Sequence, residues 1–134
     1  MKKLIISFIC LTSITFSQIE WEILNPSPTY ADILDTWIFN DSTFIITGNA
    51  GLCMKTFDGG KNWTICSVPT MSEIPDVFFV NSQTGYLFSK DKKLYKSVDG
   101  GLTWILKADL PGYYPQLIYF TDVNNGYFGN ENKL

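Results

Sequence analysis

Thr56-Phe57-Asp58-Gly59-Gly60-Lys61-Asn62-Trp63 returns, 41 residues on and without a gap, as Ser97-Val98-Asp99-Gly100-Gly101-Leu102-Thr103-Trp104. At the same offset Asn40 meets Asn81, Thr43 meets Thr84 and Lys55 meets Lys96. One period later Phe79 meets Phe120, Gly85 meets Gly126 and Tyr86 meets Tyr127. Three separate segments aligned at one spacing are an internal repeat, and a period of about 40 residues indicates an array such as a propeller.

Each period reads as four short strands. Ile74 to Val80 is apolar and rich in β-branched and aromatic residues, and Asn81 to Thr84 is a turn. Gly85 to Ser89 is a second strand, Asp91-Lys92-Lys93 a polar connection, Leu94 to Ser97 a third strand, and Trp104 to Lys107 a fourth after the Asp-Gly-Gly turn. The preceding repeat gives Ile33 to Phe39, Phe44 to Thr47, Leu52 to Thr56 and Trp63 to Ser67, and the third copy supplies Leu117 to Thr121 and Tyr127 to Gly129. No window of about 11 residues keeps a helical period, which predicts no helix of consequence.

Four antiparallel strands at this period describe a propeller blade. The expected fold is therefore all-β: a β-propeller with blades at 33–67 and 74–107 and a partial blade at 116–134. Trp21-Glu22-Ile23-Leu24 resembles the fourth strands, so residues 19–24 read as a lone fourth strand that a closing last blade would borrow. A propeller usually has about four to eight blades. Two and a half repeats fall short of that, and the sequence reads as the N-terminal part of a longer protein with further C-terminal blades.

The N-terminus reads as an export signal. Met1-Lys2-Lys3 is positive, Leu4 to Phe16 is an apolar run with only Ser and Thr as polar members, and Thr15 and Ser17 are the small residues before a cleavage. The 13 residues of that run are too few to span a membrane, which takes ~20. Residues 1–17 are thus expected to be removed, leaving residues 18–134 outside the cytoplasm in the periplasm, at the surface or secreted. Losing Lys2 and Lys3 moves the formal charge from −3 to −5.

Composition excludes much. The chain has no His and no Arg among its 134 residues. Without His there is no Ser–His or Cys–His nucleophile pair and no imidazole metal ligand. Without Arg there is no bidentate clamp for phosphate or carboxylate. The acidic balance offers no footprint for nucleic acid. No cofactor and no metal site is expected, and no catalytic residue is assigned.

The Asp-Gly-Gly turns have a structural job. The Asp side chain can accept backbone hydrogen bonds, the glycines allow positive φ, and the Trp ring can fill the seam between sheets. One carboxylate per turn is far from the roughly six to eight oxygens that calcium takes. Thr56, Asp58, Gly60 and Trp63, with Ser97, Asp99, Gly101 and Trp104, are therefore read as a folding device. Cys53 and Cys66 flank the first turn. If Thr56 faces Trp63 across a hairpin, the same register sets Cys53 opposite Cys66, and a non-hydrogen-bonded pair lies close enough to bridge. A disulfide and a pair of small buried apolar residues both remain open.

Thr/Ser-x-Asp-x-Gly-x-x-Trp resembles the Asp-box, or BNR repeat, and Thr56 to Trp63 and Ser97 to Trp104 match it in full. The wider pattern, an apolar strand, then Asn-x-x-x-Gly-Tyr, then Lys-Ser/Thr-x-Asp-Gly-Gly-x-x-Trp, is similar to the photosystem II stability and assembly factor-like propellers over residues 19–134. The resemblance implies a propeller in which the box is a structural turn. Asp-box propellers include sialidases, other glycosidases, sorting receptors and proteins without catalysis. Sialidases of this kind grip a substrate carboxylate with three arginines, which this chain lacks.

Alternating strand direction sets the inter-blade connections and the second-to-third-strand loops on one face, with the Asp-Gly-Gly turns on the other. The first face carries Tyr30, Asp32, Glu73, Tyr113 and Tyr114 among several prolines, which suits a binding surface. The expected function is non-enzymatic: a secreted or surface scaffold that binds a protein or glycan partner. The runner-up is a glycoside hydrolase using Asp32, Asp35, Glu73 or Asp76, near the starts of inner strands, with a partner carboxylate in further blades. A photosystem II assembly role is the second alternative. Lys90-Asp91-Lys92-Lys93 reads as a solvated loop.

Overall fold

The computed structural model describes residues 29–113 and 115–129. The expected leader at 1–17, the lone strand at 19–24, Tyr114 and the last residues of the partial blade lie outside the described residues. Among the described residues there are ten strands: β1 (Ile33–Ile38), β2 (Phe44–Gly48), β3 (Cys53–Thr56), β4 (Trp63–Ile65), β5 (Asp76–Phe79), β6 (Gly85–Ser89), β7 (Lys93–Ser97), β8 (Ile105–Asp109), β9 (Leu117–Phe120) and β10 (Gly126–Gly129). They form antiparallel sheets in the orders β1-β2-β3-β4 and β5-β6-β7-β8, with β9 and β10 as a hairpin. This is a partial β-propeller of two four-stranded blades and a third begun. Apart from a single 3-10 turn at Asn49–Gly51, no helix occurs among the described residues.

The β1–β2, β5–β6 and β9–β10 connections are one device used three times. Asn40 Oδ1 accepts the Ser42 and Thr43 N–H groups, Asn81 Oδ1 those of Gln83 and Thr84, and Asp122 Oδ1 those of Asn124 and Asn125. A short side chain that bonds its own backbone two and three residues on fixes a turn. Gly85 sits after the second of these turns because a Cβ there would meet the Phe79 ring at 2.6 Å.

The two Asp-Gly-Gly turns share a second hydrogen-bond set. Thr56 Oγ1 donates to Asp58 Oδ1 at 2.9 Å and accepts Gly60 N–H at 2.9 Å; Asp58 Oδ1 accepts Asn62 N–H at 2.8 Å; Trp63 Nε1–H donates to Gly60 O at 2.9 Å. In the second blade Ser97, Asp99, Gly101, Thr103 and Trp104 repeat it, with Thr103 Oγ1 donating to Asp99 Oδ2 at 2.6 Å. Gly101 has φ 91°, and a Cβ there would lie 2.8 Å from the Phe79 ring and 2.9 Å from Ile45 Cδ1, so only glycine fits.

These turns aim the Trp rings, and burial separates the two. Trp104 is 3% exposed and packs edge-on to Phe79 at 5.7 Å, in a core shared by Ile45, Cys53 and Cys66 of the first blade and Ile74, Val77, Leu87 and Tyr95 of the second. Trp63 is only half-buried, edge-on to Phe44 at 5.3 Å, because no described sheet packs on that side of the first blade. The seam is further stitched by backbone: Ser67 N–H donates to Leu102 O and Trp104 N–H to Ser67 O, at 2.8 and 2.9 Å. Lys55, buried on β3, donates Nζ–H to Gly100 O at 2.6 Å and lies 4.3 Å over the Phe39 ring. Burial there pushes its ammonium below the ordinary lysine range.

Most strand ends differ from the sequence reading by one or two residues, and two of these shifts have a plain cause. β5 begins at Asp76 rather than Ile74, since Pro75 has no N–H for the ladder. β4 stops at Ile65, and Ser67 turns instead to a parallel bridge with Thr103. Replacing Trp104 by Ala empties the seam between two sheets and is expected to destabilise by ~3–5 kcal/mol. Trp63→Ala is expected to cost clearly less. Denaturant unfolding of both variants checks this ordering, and equal losses would contradict it.

Candidate functional site

The first strands of the three sheets, β1, β5 and β9, pack side by side. An aromatic row runs across them at the repeat spacing: Trp37 meets Phe78 edge-on at 5.0 Å, and Phe78 meets Tyr119 at 5.1 Å. At the start of the same strands lie two cavities, of about 290 and about 150 Å³. The larger is lined by Leu34, Glu73, Pro75, Lys90, Pro115 and Gln116, the smaller by Ser89, Lys90, Lys92, Tyr113, Pro115 and Gln116. Sharing Lys90, Pro115 and Gln116, they make one groove. Leu34, Pro75 and Gln116 are successive members of one repeat position, so the groove runs across the inner ends of all three repeats.

Its walls are mixed. Pro75, Leu34 and the buried Pro115 give an apolar floor. Glu73 Oε1 and Lys90 Nζ form an ion pair at 2.8 Å, and Lys90 N–H donates to Glu73 O at 2.9 Å. Tyr113 is 50% exposed, its ring held edge-on against Phe128 at 5.2 Å. The β6–β7 loop is fixed by Asp91, which accepts from Ser89 Oγ and pairs with Lys93 at 3.1 Å. Despite the opposing effect of its burial, hydrogen bonds from Ser89 and Lys93 hold the Asp91 carboxyl below the ordinary range.

The five residues singled out for binding part company here. Glu73 and Tyr113 line the groove; Tyr30 stands fully exposed outside it; Asp32 Oδ2 accepts from Asn49 Nδ2 at 2.8 Å and serves the first blade's connection; Tyr114 lies outside the described residues. Sequence reasoning missed Lys90 and Lys92, read as solvated, and Leu34, Pro75 and Gln116. The common 41-residue spacing of the last three was the available signal.

Of the four carboxylates weighed for catalysis, Asp35 and Asp76 stand one repeat apart and do the same thing. Asp35 Oδ2 accepts Val77 N–H at 2.8 Å, and Asp76 Oδ2 accepts Ile118 N–H at 2.6 Å, so each ties its strand to the first strand of the next blade. The Asp35 carboxyl lies close enough to Asp76 to bear on its titration. Burial, then the contact and charge of Asp35, raise Asp76 to about 7 against the pull of the Ile118 N–H. Each carboxyl is thus engaged by a neighbouring strand's N–H, whereas glycoside hydrolysis needs a pair facing the scissile bond about 5–9.5 Å apart. The turn aspartates behave oppositely. Although burial opposes it, bonds from Thr103, Ser97 and the backbone bring Asp99 down to about 2, and the Asn62 amide and N–H lower Asp58. Among the described residues no cluster of three or more His, Cys, Asp or Glu could hold a metal ion.

Cys53 and Cys66 are buried free thiols, one step beyond Met54–Ile65, the last pair of the β3–β4 ladder. The Cys66 N–H donates to Cys53 O at 2.8 Å, so they occupy a hydrogen-bonded position rather than the non-hydrogen-bonded one expected.

The fold and its inner-face groove define the chain as a partial β-propeller with a recessed surface at one end of its inner strands. A solved structure described as YCF48 bound to D1 peptide is similar to it, with a TM-score of 0.59 and 25% identity. The match covers 68% of this chain and 31% of that one, so the two compare over about a third of that protein. No family model matches the chain, and none of the curated proteins is significantly similar to it. No helix among the described residues is long and apolar enough to cross a membrane.

The raised Asp76 carboxyl gives a pH signature. A native Asp76 near 7 against about 3.9 unfolded binds its proton more tightly when folded. Its contribution to stability is full below about pH 4 and is lost as pH rises through 7. The stability difference between wild type and Asp76→Asn is expected to fall over that interval and level off above about pH 8, measured by urea unfolding. A difference independent of pH would contradict the raised Asp76 carboxyl.

Proposed function

We propose that the protein is a non-enzymatic scaffold propeller of the Asp-box kind, exported from the cytoplasm, that binds an extended segment of a partner protein along the inner-face groove. One observation carries the reading: the groove crosses the inner ends of all three repeats and combines a Pro and Leu floor, a half-exposed Tyr and a Glu–Lys pair. Clefts with an apolar lining and a few placed polar groups are the common form of binding sites. An extended backbone meets such a trough with its side chains alternating between floor and rim.

The similar solved structure holds a peptide. Peptide recognition is what we carry over from it; the identity of that peptide belongs to that protein. An acidic chain without Arg would select partners that bring their own positive charge or none. Binding is favoured over glycoside hydrolysis because each carboxylate weighed for catalysis is engaged: Asp32 by Asn49, Glu73 by Lys90, and Asp35 and Asp76 by backbone N–H groups of the next blade.

Selection of peptides from a displayed library on the full chain, followed by titration, tests this. Tyr113→Ala together with Lys90→Ala is expected to weaken the selected peptides by at least about tenfold, the equivalent of roughly 1.4 kcal/mol, with unfolding unchanged. Peptides that bind both proteins alike would refute the groove as the site. Turnover of aryl glycosides that disappears in Asp76→Asn would instead establish the hydrolase reading.

A further inference from the structure

We propose that Cys53 and Cys66 form a dithiol site that closes to a disulfide on export, fastening the outer edge strand of the first blade to its sheet. The proposal rests on the ladder. Thr56 pairs with Trp63, Lys55 with Thr64 and Met54 with Ile65, which brings Cys53 and Cys66 next, and the Cys66 N–H donates to Cys53 O at 2.8 Å. Opposed residues at a hydrogen-bonded position have Cα atoms about 5.5 Å apart, within the roughly 4.4–6.8 Å that a disulfide spans. Directly opposed side chains share one face of a sheet, and here both thiols lie in the same core beneath Trp104, with Cys53 2% and Cys66 6% exposed.

The second blade shows what the bridge would replace. Its edge strand β8 runs five residues, and the positions matching the cysteines are Leu94 and Lys107. The first blade's edge strand β4 runs three, and its last residue, Ile65, is 79% exposed. The blade with the shorter edge strand is the one that carries the cysteine pair. An edge strand held by few hydrogen bonds frays and offers its free side to other chains. A covalent link where the ladder ends would hold it in register.

The step balances by thiol–disulfide exchange with an oxidised dithiol donor, the class of oxidant found outside the cytoplasm. One cysteine, as thiolate, attacks the donor disulfide and forms a mixed disulfide. The second cysteine, as thiolate, attacks the sulfur of the first and releases the donor. The Cys53–Cys66 bond forms, the donor bond breaks, and the two thiol protons end on the reduced donor. Both sulfurs are sealed by Trp104 once the seam closes, so exchange occurs before the blades dock.

The test uses the full chain, exported with its own leader, unfolded in iodoacetamide without reductant and digested. The expected product is one cross-linked species holding Cys53 and Cys66, two hydrogens lighter than the dithiol, that takes two labels only after reduction. Labelling of both cysteines before reduction would overturn the proposal. Should the leader fail to direct export, the reduced full chain refolded in mixed oxidised and reduced glutathione decides the matter. Closure to the internal disulfide upholds the site, and two free or two glutathionylated thiols overturn it. A reductant is further expected to lower the thermal midpoint of wild type by several degrees and leave that of Cys66→Ser unmoved.

Discussion

The indole of Trp104 between the first two sheets is the contact on which the rest depends. It reaches the seam because the Asp99-Gly100-Gly101 turn holds it there: Asp99 gathers the N–H groups of Leu102 and Thr103, and the Nε1–H bonds back to Gly101 O. The same turn offers its Gly100 carbonyl to Lys55 of the preceding blade. One short loop therefore supplies both the apolar plug and the polar tether of the seam. Burying a large ring with its single donor satisfied gains the hydrophobic term without an orphaned polar group.

Once the seam is set, the inner strands fall into line. β1, β5 and β9 are tied by Asp35 to Val77 and Asp76 to Ile118, and the Trp37–Phe78–Tyr119 row packs across them. The third repeat has Leu117 where the first two have aspartate, so the carboxyl clamp ends there. The groove is a consequence of this alignment. Three equivalent strand starts, each brought in by a loop, converge on one recess, and repeats place different residues (Leu34, Pro75, Gln116) at the same station. Repetition builds the frame, and its departures make the surface.

Much of this frame was legible in the sequence, because a turn device repeated at one spacing shows itself without knowledge of packing. The opposition of Cys53 and Cys66 followed from the hairpin register alone. What could not be read was which side chains meet across blades. Asp35 and Asp76 stood out as acidic residues near strand starts, yet their task is to accept a neighbouring strand's N–H, which no local pattern encodes. Lys90 and Lys92 sat in a charge-alternating loop that reads as solvated, and only the docking of the second and third repeats puts them on a groove wall. Trp63 and Trp104 are identical by motif and differ in burial because only one has a described sheet on its far side.

The central claim is that the two blades form one cooperative unit through this seam. Native-state amide hydrogen exchange tests it most directly, since it reports the opening free energy of single N–H groups. The N–H groups that cross between blades, those of Val77 to Asp35, Ser67 to Leu102 and Trp104 to Ser67, are expected to exchange only through the global unfolding that also frees the central strands β2 and β6. Seam amides that exchange through a separate, lower-energy opening while β2 and β6 stay protected would show two independent sheets, and would contradict the account.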